Sequence, residues 1–262
     1  KLKAQLIVKK APEVMVKISG NSKGMSKLKN HVDYISRNGD VELEGQDGLT
    51  YSGKGAAKGV LDDWQDSQQI PDMEQDGKRR EAIHVILSMP ENTDRDSVKK
   101  AARAFARQTF EGHEWFMAEH RDEAHPHVHF VVKMADEYGS RLNPKKSDLQ
   151  MWRETFAQKL NQYGVEANAT PRQVRGRARR PKTQAQYHAI KNKRPLRNDL
   201  KRRKEVAEAA KMGGDIPDHP SLKKSRRTRL EVQENANGFI KELRDSGDFQ
   251  LADKLKQHFQ NL

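Results

Sequence analysis

Glu114-Trp-Phe-Met-Ala-Glu-His120-Arg-Asp-Glu-Ala-His125-Pro-His127-Val-His129-Phe-Val-Val-Lys-Met134 decides the fold. Two strand-like runs, 114–120 and 126–134, flank the charged turn Arg121 to Ala124, which predicts a β-hairpin. Four of the ten histidines fall inside it. On a strand, residues two apart share a face at about 6.6 Å, so His127 and His129 can bend toward one ion, whereas His125, about 13 Å from His129, barely can. His120, arriving from the partner strand, is the better third ligand. The chain has no cysteine, so any metal must be held by His, Asp or Glu. Three neutral ligands leave coordination positions open and leave the ion its full charge, which suits polarisation of an anionic phosphodiester. Asp122 is expected to accept the second ring N–H of a ligand histidine. The competing readings are surface histidines in a turn and a structural metal.

On the N-terminal side of the hairpin, residues 4–19 read as one or two strands, Leu6 to Val8 and Val14 to Ile18, around Pro12. Met25, Leu28, Val32 and Ile35 then recur at helical spacing and stop at Asn38-Gly39. Residues 40–80 hold six glycines around Leu61 and Trp64 and predict a mobile, loop-rich insertion with one short helix. Ala82 to Met89 is an apolar strand, and Asn92, Thr93 or Asp94 caps a helix through Ala101, Phe105 and Phe110. On the C-terminal side, Leu149, Trp152, Phe156, Leu160 and Tyr163 mark a helix over 147–163 that stops at Gly164. These elements predict an α+β domain, an antiparallel sheet packed by helices on one side. Its boundaries are 1–169, followed by a basic arm over 170–212 and a helical extension over 213–262, with one final helix at about 225–260.

The net charge is +13, the mean hydropathy −1.02 and the hydrophobic content 34%. No run approaches the roughly 18–20 apolar residues of a membrane span, and Lys1 to Lys10 lack the pattern of a secretory peptide. A non-exported chain in a reducing cytosol, with no membrane insertion, is expected. Between Pro171 and Lys211 stand 15 Lys plus Arg against 3 Asp plus Glu, so nearly all the excess charge lies in one arm. Such density is a footprint for nucleic acid, or else a solvated charged helix.

Tyr34 ends the first helix in His31-Val-Asp-Tyr-Ile-Ser-Arg-Asn-Gly39. On helix spacing alone it is equally a core residue. Beside Arg37 and Asn38, which could hold a phosphate, it is a candidate nucleophile whose attack on phosphorus would give a phosphotyrosine ester.

Three segments carry a resemblance, in this order: Tyr34-Ile-Ser-Arg-Asn-Gly39, His84-Val-Ile-Leu-Ser-Met-Pro90 and His120-x-Asp-x-x-His-Pro-His-x-His129. Together they resemble the conjugative relaxases, or mobilization nucleases, of the HUH endonuclease superfamily, in the branch that includes the border endonuclease of tumour-inducing plasmids. The likeness runs over about residues 5–190, with one departure, Lys133 where the family often has Asn. It implies a five-stranded antiparallel sheet with the site on one face and helices behind. It also implies Tyr34 as the strand-cleaving nucleophile and a divalent ion, Mg or Mn, on His120, His127 and His129; three histidines would also bind Zn or Ni, and Asp122 joins Tyr34 as a catalytic candidate from its spacing. Expected DNA contacts are Arg37, Asn38, Ser88, His125, Arg172, Arg175, Arg177, Arg179 and Arg180.

The function so implied is site- and strand-specific nicking and rejoining of single-stranded DNA at a plasmid transfer origin, initiating conjugation. The expected partners are that DNA, relaxosome accessory proteins, and a coupling protein with its type IV secretion system. The expected location is the bacterial cytoplasm, with passage to the recipient covalently on DNA. The chain is also expected to be a fragment of a longer relaxase. Alternatives are a rolling-circle replication initiator or transposase of the same chemistry, a non-catalytic nucleic-acid-binding module, and a metal-dependent phosphodiesterase using water.

Overall fold

The computed structural model describes residues 1–66, 79–171, 184–215, 218–219 and 222–260. The chain divides into two units, Lys1–Thr170 and Pro171–Leu262.

The first unit is built on six strands: β1 (Met15–Ser22), β2 (Leu43–Gly45), β3 (Thr50–Tyr51), β4 (Ala82–Ser88), β5 (Trp115–His120) and β6 (His127–Lys133), in the order β1-β4-β6-β5-β2-β3. Every pairing is antiparallel. The architecture is therefore α+β with an antiparallel sheet, and the expected five strands are joined by a sixth, the two-residue edge strand β3.

Helices cover both faces, not one. Ile83, Val85 and Leu87 of β4 and Val128, Phe130 and Val132 of β6 pack with α4 (Arg95–Thr109), its C-terminal cap Phe110 and α5 (Lys146–Gln162), through Phe105, Trp152 and Phe156 of the helices. On the opposite face Ala82, Phe116, Ala118 and Val131 pack with α2 (Met25–Ile35) and α3 (Ala56–Asp66), through Leu28, Val32, Ile35, Leu61 and Trp64. A strand covered on both faces needs a nearly continuous apolar run, and Ala82 to Ser88 has that pattern.

Two N-terminal expectations change. Leu6 to Val8 belongs to a helix, α1 (Leu2–Val8), with Ala4, Leu6 and Ile7 buried. So short an apolar run does not distinguish helix from strand. The helix ends where Lys10 turns to φ 55 and Ala11 N–H bonds Leu6 O, just ahead of Pro12, which has no N–H to give. The 40–66 part of the insertion is likewise built into the sheet. Glu44 of β2 is buried and paired with both Arg103 and Lys99 of α4, and Tyr51 Oη donates to Asp63 of α3 at 2.6 Å. These polar pairs, distant in sequence, give no periodic signal.

The second unit contains α6 (Gln184–Lys191), α7 (Arg197–Lys211), α8 (Leu222–Asp245) and α9 (Phe249–Gln260). The single helix expected at 225–260 is two, broken at Gly247, whose φ of 83 suits glycine. Ala236, Ile240 and Leu243 of α8 and Ala252 and Leu255 of α9 are the buried positions of this pair. Helix α7 buries no residue, as its Lys- and Arg-rich composition demands. No helix among the described residues is long and apolar enough to cross a membrane.

Candidate active site

The register of three strands assembles the histidines. His127 lies directly opposite His120 on β5 and Ser88 on β4, and His129 opposite Ala118 and Ile86. Because side chains alternate across the sheet, His120, His127, His129, His84 and Ser88 share one face. Helices α2 and α3 cover part of that face, and Lys17 of β1 remains exposed on it.

Ring nitrogens of His120, His127 and His129 all lie within 4.8 Å of one another. His120 Nε2–H donates to Ile35 O at 2.7 Å, which leaves Nδ1 with its lone pair. His127 Nδ1–H donates to the His125 carbonyl at 3.0 Å, which leaves Nε2 free. Burial, with the neighbouring histidines, holds His129 down to about 3, and burial lowers His120. Three clustered imidazoles, two of them with the outer N–H anchored to a carbonyl, fit a divalent cation. The spacing predicts Asp122 as the anchor of a ligand histidine; the structure instead gives His120 the Ile35 carbonyl.

Asp122 instead accepts from Arg37 Nη2 at 2.8 Å, and this pairing holds its pKa below the usual carboxylate range. Arg37 gathers the site. It reaches His120 Nδ1 at 3.4 Å and the Tyr34 carbonyl at 3.5 Å, and its guanidinium stands 5.2 Å from the centre of the Tyr34 ring. The side chain is aimed by an unusual backbone, since Arg37 and Asn38 both adopt left-handed conformations, φ 52 and 58. Gly39 completes the turn at φ 100. A Cβ there would lie 2.0 Å from Gly53 O, so only glycine fits.

Tyr34 is 58% exposed, off the Met25, Leu28, Val32 and Ile35 stripe that α2 buries. Core packing is thereby excluded. Its neighbour Ile35 carries the carbonyl that binds His120, which fixes the backbone of the tyrosine one residue from the histidine cluster. Ser88 is buried opposite His127, with its hydroxyl on Met89 O. Asn38 and His125 are exposed. Arg172, Arg175, Arg177, Arg179 and Arg180 lie outside the described residues.

Lys133, which replaces the Asn frequent in the family, is fully buried at the far end of β6. It pairs with Glu114 at 2.9 Å and lies over Trp64.

Sequence reasoning assigned no role to two groups beside the cluster. His31 of α2 stacks on His84 of β4, with ring centres 3.4 Å apart and planes 5° from parallel, and Ser22 Oγ meets His84 Nε2 at 2.8 Å. Burial lowers His31 to about 4; burial and then His31 lower His84 to about 3. Arg95 staples the turn between the histidine strands by donating to the carbonyls of His120, Glu123 and Ala124. His31 stands three residues before Tyr34 and was legible as a candidate; the reach of Arg95 was not.

The chain is 27% identical over 218 residues to the T-DNA border endonuclease VirD2 of Rhizobium radiobacter, covering 72% of this chain and 47% of that protein. Against the VirD2 border endonuclease of Agrobacterium fabrum it is 26% identical, covering 72% and 44%. The chain thus spans about half the length of these curated relatives. A solved structure described as "Molecular Basis of Vancomycin Resistance Transfer in Staphylococcus aureus" is 14% identical, with a TM-score of 0.39, over 62% of this chain and 99% of that one. Residues 34–165, half of the chain and the span from Tyr34 through the histidine hairpin to the end of the α5 region, match the family "Relaxase: MobA/VirD2-like, nuclease domain", and the chain belongs to that family.

Proposed function

We propose that this chain nicks and rejoins one strand of DNA at a plasmid transfer origin by tyrosine transesterification. The observation that carries this function is the His120 Nε2–Ile35 O bond, which ties the residue beside an exposed tyrosine to a three-histidine cluster. The phenol of Tyr34 gives up its proton, its oxygen bonds phosphorus, and the 3′ oxygen leaves and takes up a proton. The protein remains on the 5′ end through an ester close in energy to the diester it replaced, so the same atoms run the reaction backward. His120, His127 and His129 would hold a divalent ion, which supplies positive charge to the phosphate oxygens. Arg37 presents a second, fork-shaped positive group to the same phosphate and steadies Asp122. The target is single-stranded at the cut, because a sheet-borne site does not reach a phosphate inside a stacked duplex without distorting it. Domain boundaries at 169 and 212 separate this catalytic part from a basic arm that adds sequence-independent affinity.

This function extends to accessory proteins, a coupling protein and a type IV secretion system as partners. It places nicking in the bacterial cytoplasm and carries the chain to the recipient on its DNA. The experiment incubates the chain with single-stranded oligonucleotides bearing candidate transfer-origin nick sites, with Mn or with EDTA, and resolves the products on a denaturing gel. A covalent adduct that requires Mn and disappears in Tyr34→Phe is expected. Cleavage without an adduct would replace the tyrosine with water as nucleophile.

A further inference from the structure

At the ends of β1, β4 and β6 remote from the histidines, three chain segments meet around a cleft of about 470 Å³. Lys23 enters from the end of β1, Arg79 and Arg80 from the start of β4, and Arg141 from the loop after β6, with Met134 and Leu142 as the apolar lining. Four cations therefore face a single described carboxylate, Glu81, which pairs with Arg79 at 2.8 Å and stands 4.0 Å from Arg141. Neither Lys23 nor Arg80 has a carboxylate partner among the described residues. Arg141 is held in place by its bond to the Arg80 carbonyl. Burial first, and then the charges of Arg79 and Arg80, lower the pKa of its guanidinium against the opposing pull of Glu81. Folding has gathered four cations around one described carboxylate, and the excess positive charge of such a cleft attracts an anion. Arginine forks favour phosphate over a simple halide, and the apolar lining accepts sugar or base.

The position of the cleft identifies the phosphate. Met134, just past the end of β6, stands five positions after His129, about 17 Å along the strand direction. That matches about five nucleotides of stacked strand at ~3.4 Å each.

We propose that this cleft grips the backbone phosphates of the DNA strand whose scissile phosphate lies at the histidine cluster, about five nucleotides away. It thus acts as a second anchor for a strand that passes around α2 and α3, which cover the sheet between cluster and cleft. This inference rests on the nicking function proposed above but concerns binding alone.

The test measures equilibrium binding of the full chain, in EDTA so that no strand is cut, to labelled oligothymidylates lengthened one nucleotide at a time. Wild-type affinity is expected to rise at least tenfold as the strand becomes long enough to span cluster and cleft. Lys23→Glu/Arg80→Glu removes that step and reduces the salt slope by about 1.4, the value for two phosphate contacts on single-stranded DNA. Lys58→Glu/Arg107→Glu, on exposed turns of α3 and α4, is the control for general charge, and it retains the step. Unchanged melting temperature excludes misfolding. A step that survives in the cleft variant, or that the control variant loses equally, overturns the anchor while leaving adduct formation on Tyr34 untouched. Competition by millimolar inorganic phosphate with no such step would make the cleft a site for free phosphate and overturn it too. Absence of binding at every length would sink both the anchor and the nicking function.

Discussion

Arg37 sits where Tyr34, His120 and Asp122 converge, and its left-handed backbone is stabilised by the Gly39–Gly53 contact beside it. Left-handed residues other than glycine cost about 1–3 kcal/mol each, and they persist where the surrounding structure enforces them. Gly39→Ala would drive a methyl into the Gly53 carbonyl and should destabilise the fold by about 2–4 kcal/mol, read as a lower denaturation midpoint. Arg37→Ala, by contrast, should leave the midpoint within about 1 kcal/mol and slow adduct formation by about 10²-fold, as loss of one charged group at a reacting phosphate does. The histidines make stability depend on pH in one direction. Folded, His31 and His84 stay neutral down to about 4 and 3, whereas in the unfolded chain both protonate near 6.5. Below 6.5 the unfolded chain therefore takes up protons that the folded one refuses, and stability falls as pH falls toward 4. Denaturation midpoints at pH 7.5 and 5.0 should differ, and His31→Phe/His84→Phe should shrink the difference. It should not vanish, because His129 is lowered to about 3 as well.

At the level of elements, the hairpin of β5 and β6 carries the three clustered histidines and depends on contacts beyond itself. Arg95 on α4 binds three carbonyls of its turn, so Arg95→Ala should loosen the spacing of His120 and His127 and weaken Mn binding by about 10–100-fold, measured by calorimetry. Lys133 and Glu114 close the other end. Lys133→Ala removes the partner of Glu114 and the contact with Trp64, and should cost about 3 kcal/mol. The hairpin, helix α4 and helix α5 were legible because their apolar residues repeat at clean periods between punctuating Pro, Gly and Asp. Helix α1 was not, since Leu6 to Val8 fits either period. Strands β2 and β3 were not, because two to three residues hold no period and Glu44 is held by ion pairs with α4. At the site, the spacing of the four histidines selected the three that cluster. The bonds made by their outer N–H groups come from a carbonyl on α2 and from the turn backbone, and backbone acceptors leave no mark in sequence.

For the molecule as a whole, charge is divided as unevenly as chemistry. The arm around Pro171–Lys211 carries 15 cations against 3 anions, while the histidine cluster lies in the first unit. Replacing Arg172, Arg175, Arg177, Arg179 and Arg180 with Ala should weaken single-stranded DNA binding about equally for all sequences. The slope of log affinity against log salt should flatten by up to about 3.5, five contacts at ~0.7 each, with Mn affinity unchanged. The central claim concerns a single covalent bond. It is tested most directly by digesting the protein–DNA adduct with nuclease and protease and locating the nucleotide by mass spectrometry. A nucleotide joined through its 5′ phosphate to the peptide containing Tyr34 is the expected result. A nucleotide on another residue, or none on an enzyme that still cuts, would contradict it.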